Sequence, residues 1–257
     1  MATVYMQPGT GTGTGTEGDP YYFSQLATAE AAAGAGGAIL FEDGTYAGNI
    51  GSGSVDNLIY KAINTKVPVL TGPTSGGPTG ANHFYSSGSL TKNVEGFTVE
   101  LSNYINYAAR TKGQTNFTQC HIDSVRGFNA HSVDSPGPCL FQECTFSVSS
   151  AITLFGTGLT TDHFVLVNCS VETDQTTSLG ECAATDSIFS CTNGSANTTP
   201  DANIDSASSN NWFYNFANIT TADAYCIGTT DPLFEKTVGN RYFVLRPDSP
   251  CIGKGSS

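Results

Sequence analysis

The chain has 257 residues, 39% of them apolar and only 12% charged, with a formal net charge of −12. No Lys/Arg cluster is available to displace phosphate counterions, which argues against nucleic acid as a partner, and no apolar run nears the roughly 18 residues of a membrane span. With 29 Gly, 15 Phe and 11 Tyr, the composition excludes a disordered chain and suits one large, turn-rich β domain.

In chain order, "MATVYMQPG" lacks the basic-then-apolar layout of a signal peptide, so the expectation is a protein made and folded in a cytosol. Residues 1–18 read as a Gly/Thr-rich opening loop. The alternating glycines are not a phosphate loop, because no Gly-Lys-Ser/Thr follows. "DPYYFSQLATAEAAAGAGG" predicts a helix over 19–37, with Asp19 at the N-cap, Pro20 at the first helical position and Gly at the exit. "AILFEDGTY", residues 38–46, supplies the first central strand.

From residue 94 a repeat takes over. Cys120, Cys144, Cys169 and Cys191 are spaced by 24, 25 and 22 residues, and such a period marks stacked units. Three residues before each cysteine stand Phe117, Phe141, Leu166 and Ile188; two after stand Ile122, Phe146 and Val171, with Asn193 breaking the last. "NVEGFTVEL" adds Val94, Phe97 and Val99, and Phe213 and Phe216 extend the first two columns. The alternation after each cysteine is that of a half-buried strand, in which Thr145 faces outward. Each unit is too short to bury its own face and must stack on its neighbours. Scarce Leu and pervasive Gly, Ser, Thr and Asn exclude leucine-rich and helical solenoids. The expected fold is all-β: a parallel β-helix of about eight turns, spanning 1–257 as one domain. The helix at 19–37 lids one end, the coil runs over 38–245, and 246–257 forms a closing tail. The polar stretch 192–211 is expected to leave the coil as an excursion between turns.

Eight cysteines permit a disulfide framework, but one Cys per repeat is better read as a column of free, buried thiols. No Cys-x-x-Cys pair is present, so neither a metal nor another cofactor is expected.

"VYMQPGTGTGTGTEGDPYYFSQLATAEAAAGAGGAILFEDGTYAGNI" and "DPLFEKTVGNRYFVLRPDSPCIGKGS" resemble the opening strand, capping helix, Gly-Thr-Tyr turn and closing element of the pectate-lyase-like superfamily of right-handed parallel β-helix proteins. Cys251 and Lys254 depart from the closing pattern. The superfamily includes lyases, hydrolases, adhesins and bacteriophage spikes, so the resemblance informs fold more than activity. Joined to the missing signal-peptide layout, the reduced cysteines, the low charge and a chain that is almost all β-helix, it favours a structural protein on a bacteriophage virion surface (head decoration, short fibre or spike), with cell-surface polysaccharide as a further partner. The alternative is a polysaccharide lyase or glycoside hydrolase, secreted or phage-borne. The lyase signatures Trp-Ile-Asp-His and Arg-x-Pro-x-x-Arg are absent, and the reading leans away from an enzyme.

Three residues past the Phe97/Cys column stand Glu100, Asp123, Ser147 and Glu172. Stacked carboxylates suggest a bound cation or a raised pKa, and paired carboxylates suit glycoside hydrolysis. In an enzyme Glu100, Asp123 and Glu172 would be catalytic, with His121 and Arg126 assisting and His131 and Asp134 nearby; the competing reading is solvated strand ends. A homotrimer with other virion proteins as partners is expected, and Tyr104, Tyr107 and Phe128 are interface candidates. Trp212 is expected to pack in a late turn.

Overall fold

The computed structural model describes residues 1–48, 50, 53–71, 90–101, 110–111, 114–124, 128–130, 139–148, 153–157, 164–173, 178–180, 182–191, 208–216, 226–235 and 244–254. The chain is a parallel β-helix. One sheet stacks Thr3–Gln7, Ala38–Phe41, Leu58–Ala62, Thr91–Glu95, Gln114–Thr118, Cys139–Gln142, Phe164–Val167 and Ala183–Thr185, with Tyr21–Tyr22 outside the first strand. The second stacks Thr45–Ala47, Val69–Thr71, Thr98–Leu101, His121–Ser124, Thr145–Val148, Ser170–Thr173, Ile188–Cys191, Asn211–Tyr214 and Cys226–Gly228. A third sheet, not foreseen from the sequence, joins Arg110–Thr111, Phe128–Ala130, Thr153–Thr157 and Ser178–Gly180. Pairing in all three is parallel; Phe234–Glu235 and Val244–Leu245 form an antiparallel pair.

Two ladders build the core, because alternate side chains of a strand face one way. In the first sheet Val4, Ile39, Tyr60, Val94, Phe117, Phe141, Leu166 and Ala184 lie in register and buried. In the second, Tyr46, Leu70, Val99, Ile122, Phe146, Val171, Phe189 and Phe213 do the same. Stacking at the strand spacing puts like rings face to face: Phe117 and Phe141 lie 4.9 Å apart at 7°, Phe189 and Phe213 4.9 Å apart at 5°. Such offset stacks add roughly 0.5–1.5 kcal/mol beyond area burial.

Between the two sheets the six later coils turn at one residue with positive φ: Gly96, Gln119, Glu143, Asn168, Asp186 and Asn210. The residue that follows points inward, giving a column of Phe97, Cys120, Cys144, Cys169, Ser187 and Asn211. This corrects the cysteine register. Val167 pairs with Thr185 and Ser170 with Ile188, so Ser187 occupies the place expected for Cys191. Cys191 instead pairs with Thr173, and Phe213 pairs with Phe189 rather than Ile188. The column is also more than apolar filler. Cys120, Cys144 and Cys169 each donate a thiol hydrogen to the carbonyl two residues back, at 3.4–3.5 Å, and lie 3.4–3.6 Å from a carbonyl of the preceding coil.

At the N-terminal end the helix spans Leu26–Ala33, preceded by a 3-10 turn at Phe23–Gln25. It begins later than the sequence predicts. Asp19 does not cap it; its carboxylate accepts from the Thr14 amide at 3.1 Å and hydroxyl at 2.8 Å, closing the Gly/Thr loop. Tyr21–Tyr22 is claimed as a strand by Met6–Gln7. The opening segment is likewise not all loop, since Thr3–Gln7 pairs with Ala38–Phe41. Its glycines pack: a Cβ on Gly13 would sit 1.9 Å from the Pro20 carbonyl oxygen, and Gly15 (φ +82°) lies against the Tyr21 ring. Gly34, at φ +69°, ends the helix with its amide bonded to the Glu30 carbonyl at 3.0 Å.

A charged residue also occupies an inward position. Lys92 pairs with Leu58 and Thr115 and is 2% exposed. Its ammonium donates to the carbonyls of Gly53 (3.2 Å) and Val55, and burial lowers its pKa. Close by, buried Glu30 from the helix accepts the Tyr60 hydroxyl at 2.8 Å, tying the lid to the coil.

Candidate functional site

Because Val99, Ile122, Phe146 and Val171 face the core, the residues after them face out. The registers align Thr71, Glu100, Asp123, Ser147, Glu172, Ser190 and Tyr214 across seven consecutive strands. Glu100, Asp123 and Glu172 thus fall in the single row read from the sequence, with Ser147 between the last two. Adjacent backbones in such a row lie about 4.8 Å apart. Asp123 is exposed, and Glu100, Ser147 and Glu172 are half-buried.

His121 belongs to a parallel outward row with Thr98, Thr145 and Ser170. It is only 5% exposed, and its Nδ1 lies 2.8 Å from Thr145 Oγ1. Thr145 is therefore buried and bonded, not the exposed residue expected. Thr98 is buried too, its hydroxyl donating to the Lys66 carbonyl at 2.8 Å. Arg126, His131 and Asp134 lie outside the described residues, as do Tyr104, Tyr107 and most of the 192–211 excursion; Phe128 stands in the third sheet, paired with Phe155. Trp212 is 7% exposed and donates its indole N–H to the Thr230 carbonyl at 2.7 Å, so it packs in a late turn.

The sequence missed what lies at the end of the acidic row. There the outer face meets the closing segment, forming a concavity of about 310 Å³. Glu172, Ser190 and Tyr214 supply the sheet side; Asp231, Phe234 and Arg246 supply the opposite side. Backbone bonds fix both walls. Phe234 pairs with Leu245, and the Arg246 amide donates to the Leu233 carbonyl at 2.9 Å. Asp231 Oδ1 accepts the Leu233 amide at 2.8 Å, and the Asn215 side chain donates to the Cys191 carbonyl at 2.9 Å. Aligning the repeat on Cys191 puts Gly194, which has no side chain, in the row; aligning it on the bend residues Asn168 and Asp186 would have found Ser190.

Among the described residues, no group of three or more His, Cys, Asp or Glu is placed to hold a metal ion, and no helix is long and apolar enough to cross a membrane. No protein-family model matches the chain, and a search of the curated proteins likewise gives no match.

Proposed function

We propose that this β-helix is a structural protein of the pectate-lyase-like superfamily, displayed on a bacteriophage virion as a head decoration, short fibre or spike. The observation that carries the reading is the state of the core. All eight cysteines are free and buried, and three of them serve as hydrogen-bond donors inside the bends. A core of this kind assembles best where thiols stay reduced, which fits completion in a host cytoplasm before display. The nine stacked strands of the second sheet make a rod about 40 Å long by strand spacing, a shape suited to projecting a surface outward. The rod acts as a homotrimer among other virion proteins, closed cyclic symmetry being the default for such assemblies. Cell-surface polysaccharide is its partner outside the particle.

Antibody raised against the purified chain tests this reading. Gold-labelled antibody should decorate particles purified from the source culture at symmetric positions. Unlabelled particles, with the chain recovered only from the soluble fraction, would overturn the reading.

The adjacent carboxylates Glu100 and Asp123 favour a second reading, a polysaccharide-cleaving enzyme, since two carboxyls on neighbouring strands suit glycosidic chemistry. Release of reducing ends or unsaturated sugars by the chain, abolished in Asp123→Asn, would transfer the assignment to it.

A further inference from the structure

We infer that the concavity between Glu172, Ser190 and Tyr214 on one side and Asp231, Phe234 and Arg246 on the other binds a neutral or amino-bearing saccharide and disfavours acidic sugars. The inference rests on the polysaccharide partner proposed above and specifies its chemistry. A concavity of about 310 Å³ falls at the small end of the roughly 300–1,000 Å³ range for ligand pockets, enough for a short stretch of saccharide.

The lining has the mixture that a sugar requires. Tyr214 and Phe234 offer aromatic surface for the apolar face of a pyranose. The carboxylates of Glu172 and Asp231 accept hydrogen bonds from hydroxyl or ammonium groups, and charged acceptors make the stronger bonds. Ser190 can donate or accept. Arg246, the one cation among the described lining residues, already has Asp248 as an ion-pair partner at 2.9 Å.

Charge decides the class of sugar. Glu172 continues a row holding Asp123 and Glu100, and the chain carries a net charge of −12. A uronic acid would approach against this field, whereas a neutral sugar is indifferent to it and an ammonium is drawn in. Specificity here comes as much from what the acids repel as from what they bind. The sheet wall is also set before any ligand arrives. Glu172, Ser190 and Tyr214 stand on hydrogen-bonded strands, and a site on strands is better defined than one on loops.

Isothermal titration of the full chain with three trisaccharides tests this: an N-acetylglucosamine trimer, a glucosamine trimer and trigalacturonate. The first two should bind, and trigalacturonate should bind at least about tenfold more weakly. Tyr214→Ala should weaken both productive ligands about tenfold, the size of one lost favourable contact. Asp231→Asn, which keeps an Oδ1 acceptor for the Leu233 amide, should lower the preference for the amino sugar over the N-acetyl sugar. Failure of both productive trimers to bind, equal or tighter binding of trigalacturonate, or unchanged affinities in both variants would overturn the inference. Labelled particles with no saccharide binding would sink this inference alone; binding without labelling would sink only the virion reading.

Discussion

Ser187 stands in the coil after Cys169 at the same place, 18 residues on, and its hydroxyl accepts the Cys169 amide at 3.1 Å while donating to the Thr185 carbonyl at 3.0 Å. Asn211 then repeats the pattern one coil later. Its side chain accepts the Ser187 amide at 3.0 Å and donates to the Ala184 carbonyl at 2.7 Å. Thiol, hydroxyl and amide thus share one task, bonding the backbone where the chain bends. Ser187→Ala should cost about 1–3 kcal/mol, because it leaves a buried amide unpaired. Ser187→Cys should cost less, and Asn211→Ala, which leaves the Ser187 amide unpaired while the Ala184 carbonyl keeps the Ser209 amide, about as much as Ser187→Ala. Urea denaturation midpoints give the ranking; an inert Ser187→Ala would contradict it.

The thiols fix how the fold responds to alkali. Burial pushes Cys182 from the usual 9.0 up to about 12 and raises Cys120 and Cys144 well above normal. A raised folded value means that the native state holds its protons longer than the unfolded chain. The stabilisation is full below about pH 9 and is lost as pH climbs towards 12. For Cys182 the three-unit interval corresponds to about 4 kcal/mol at the top of the window. Lys66 and Lys92, lowered by burial, oppose this loss as pH rises towards their normal value. Thermal scans should show Tm falling above pH 9, less steeply in Cys182→Ala; a profile of equal slope in both would contradict the assignment.

Those thiols should also resist alkylation in the native state and react on denaturation without reductant, since all eight are free and buried. Labelling before and after urea, read by mass, checks this.

The outward face is less uniform than alternation implies. Phe141→Ala should leave a cavity and cost about 3–5 kcal/mol. Thr145→Ala should cost about 1–2 kcal/mol, because it removes the buried hydroxyl 2.8 Å from His121 Nδ1. Equal costs for the two would mean that the strand faces are misassigned.

Thr115 carries the opposite expectation. Among the described residues its buried hydroxyl has no hydrogen-bond partner. Thr115→Val keeps the shape and removes that unmet group, so it should raise stability by about 1 kcal/mol. A lower Tm for this variant would show that the hydroxyl is bonded after all.

The sequence made the coil legible because apolar residues recur with the strand period: Phe117, Ile122, Phe141 and Phe146 were all placed correctly, as was the row Glu100, Asp123, Glu172. It misled where the chemistry of a slot changed. A column that runs Cys, Cys, Cys, Ser, Asn is invisible to a search for cysteine, and Cys191 drew the register four residues too far. The better marker was the bend residue, Gln119, Glu143, Asn168 and Asp186, whose polar identities reflect backbone geometry rather than burial. Lys92 was hidden because its two carbonyl acceptors come from a segment distant in sequence, and the walls at Asp231 and Arg246 because they arrive from the closing hairpin.

The register that joins the acidic row to the concavity is open to direct test by cross-linking Glu172 to Ser190. In-register neighbours about 4.8 Å apart fall inside the 4.4–6.8 Å span of a disulfide. Under mild oxidation of the native chain, the double variant Glu172→Cys/Ser190→Cys should form an intramolecular bridge, seen as faster migration on a non-reducing denaturing gel and reversed by reductant. Its absence, while Ser147→Cys/Glu172→Cys bridges readily, would contradict the register at Ser187 and the concavity with it.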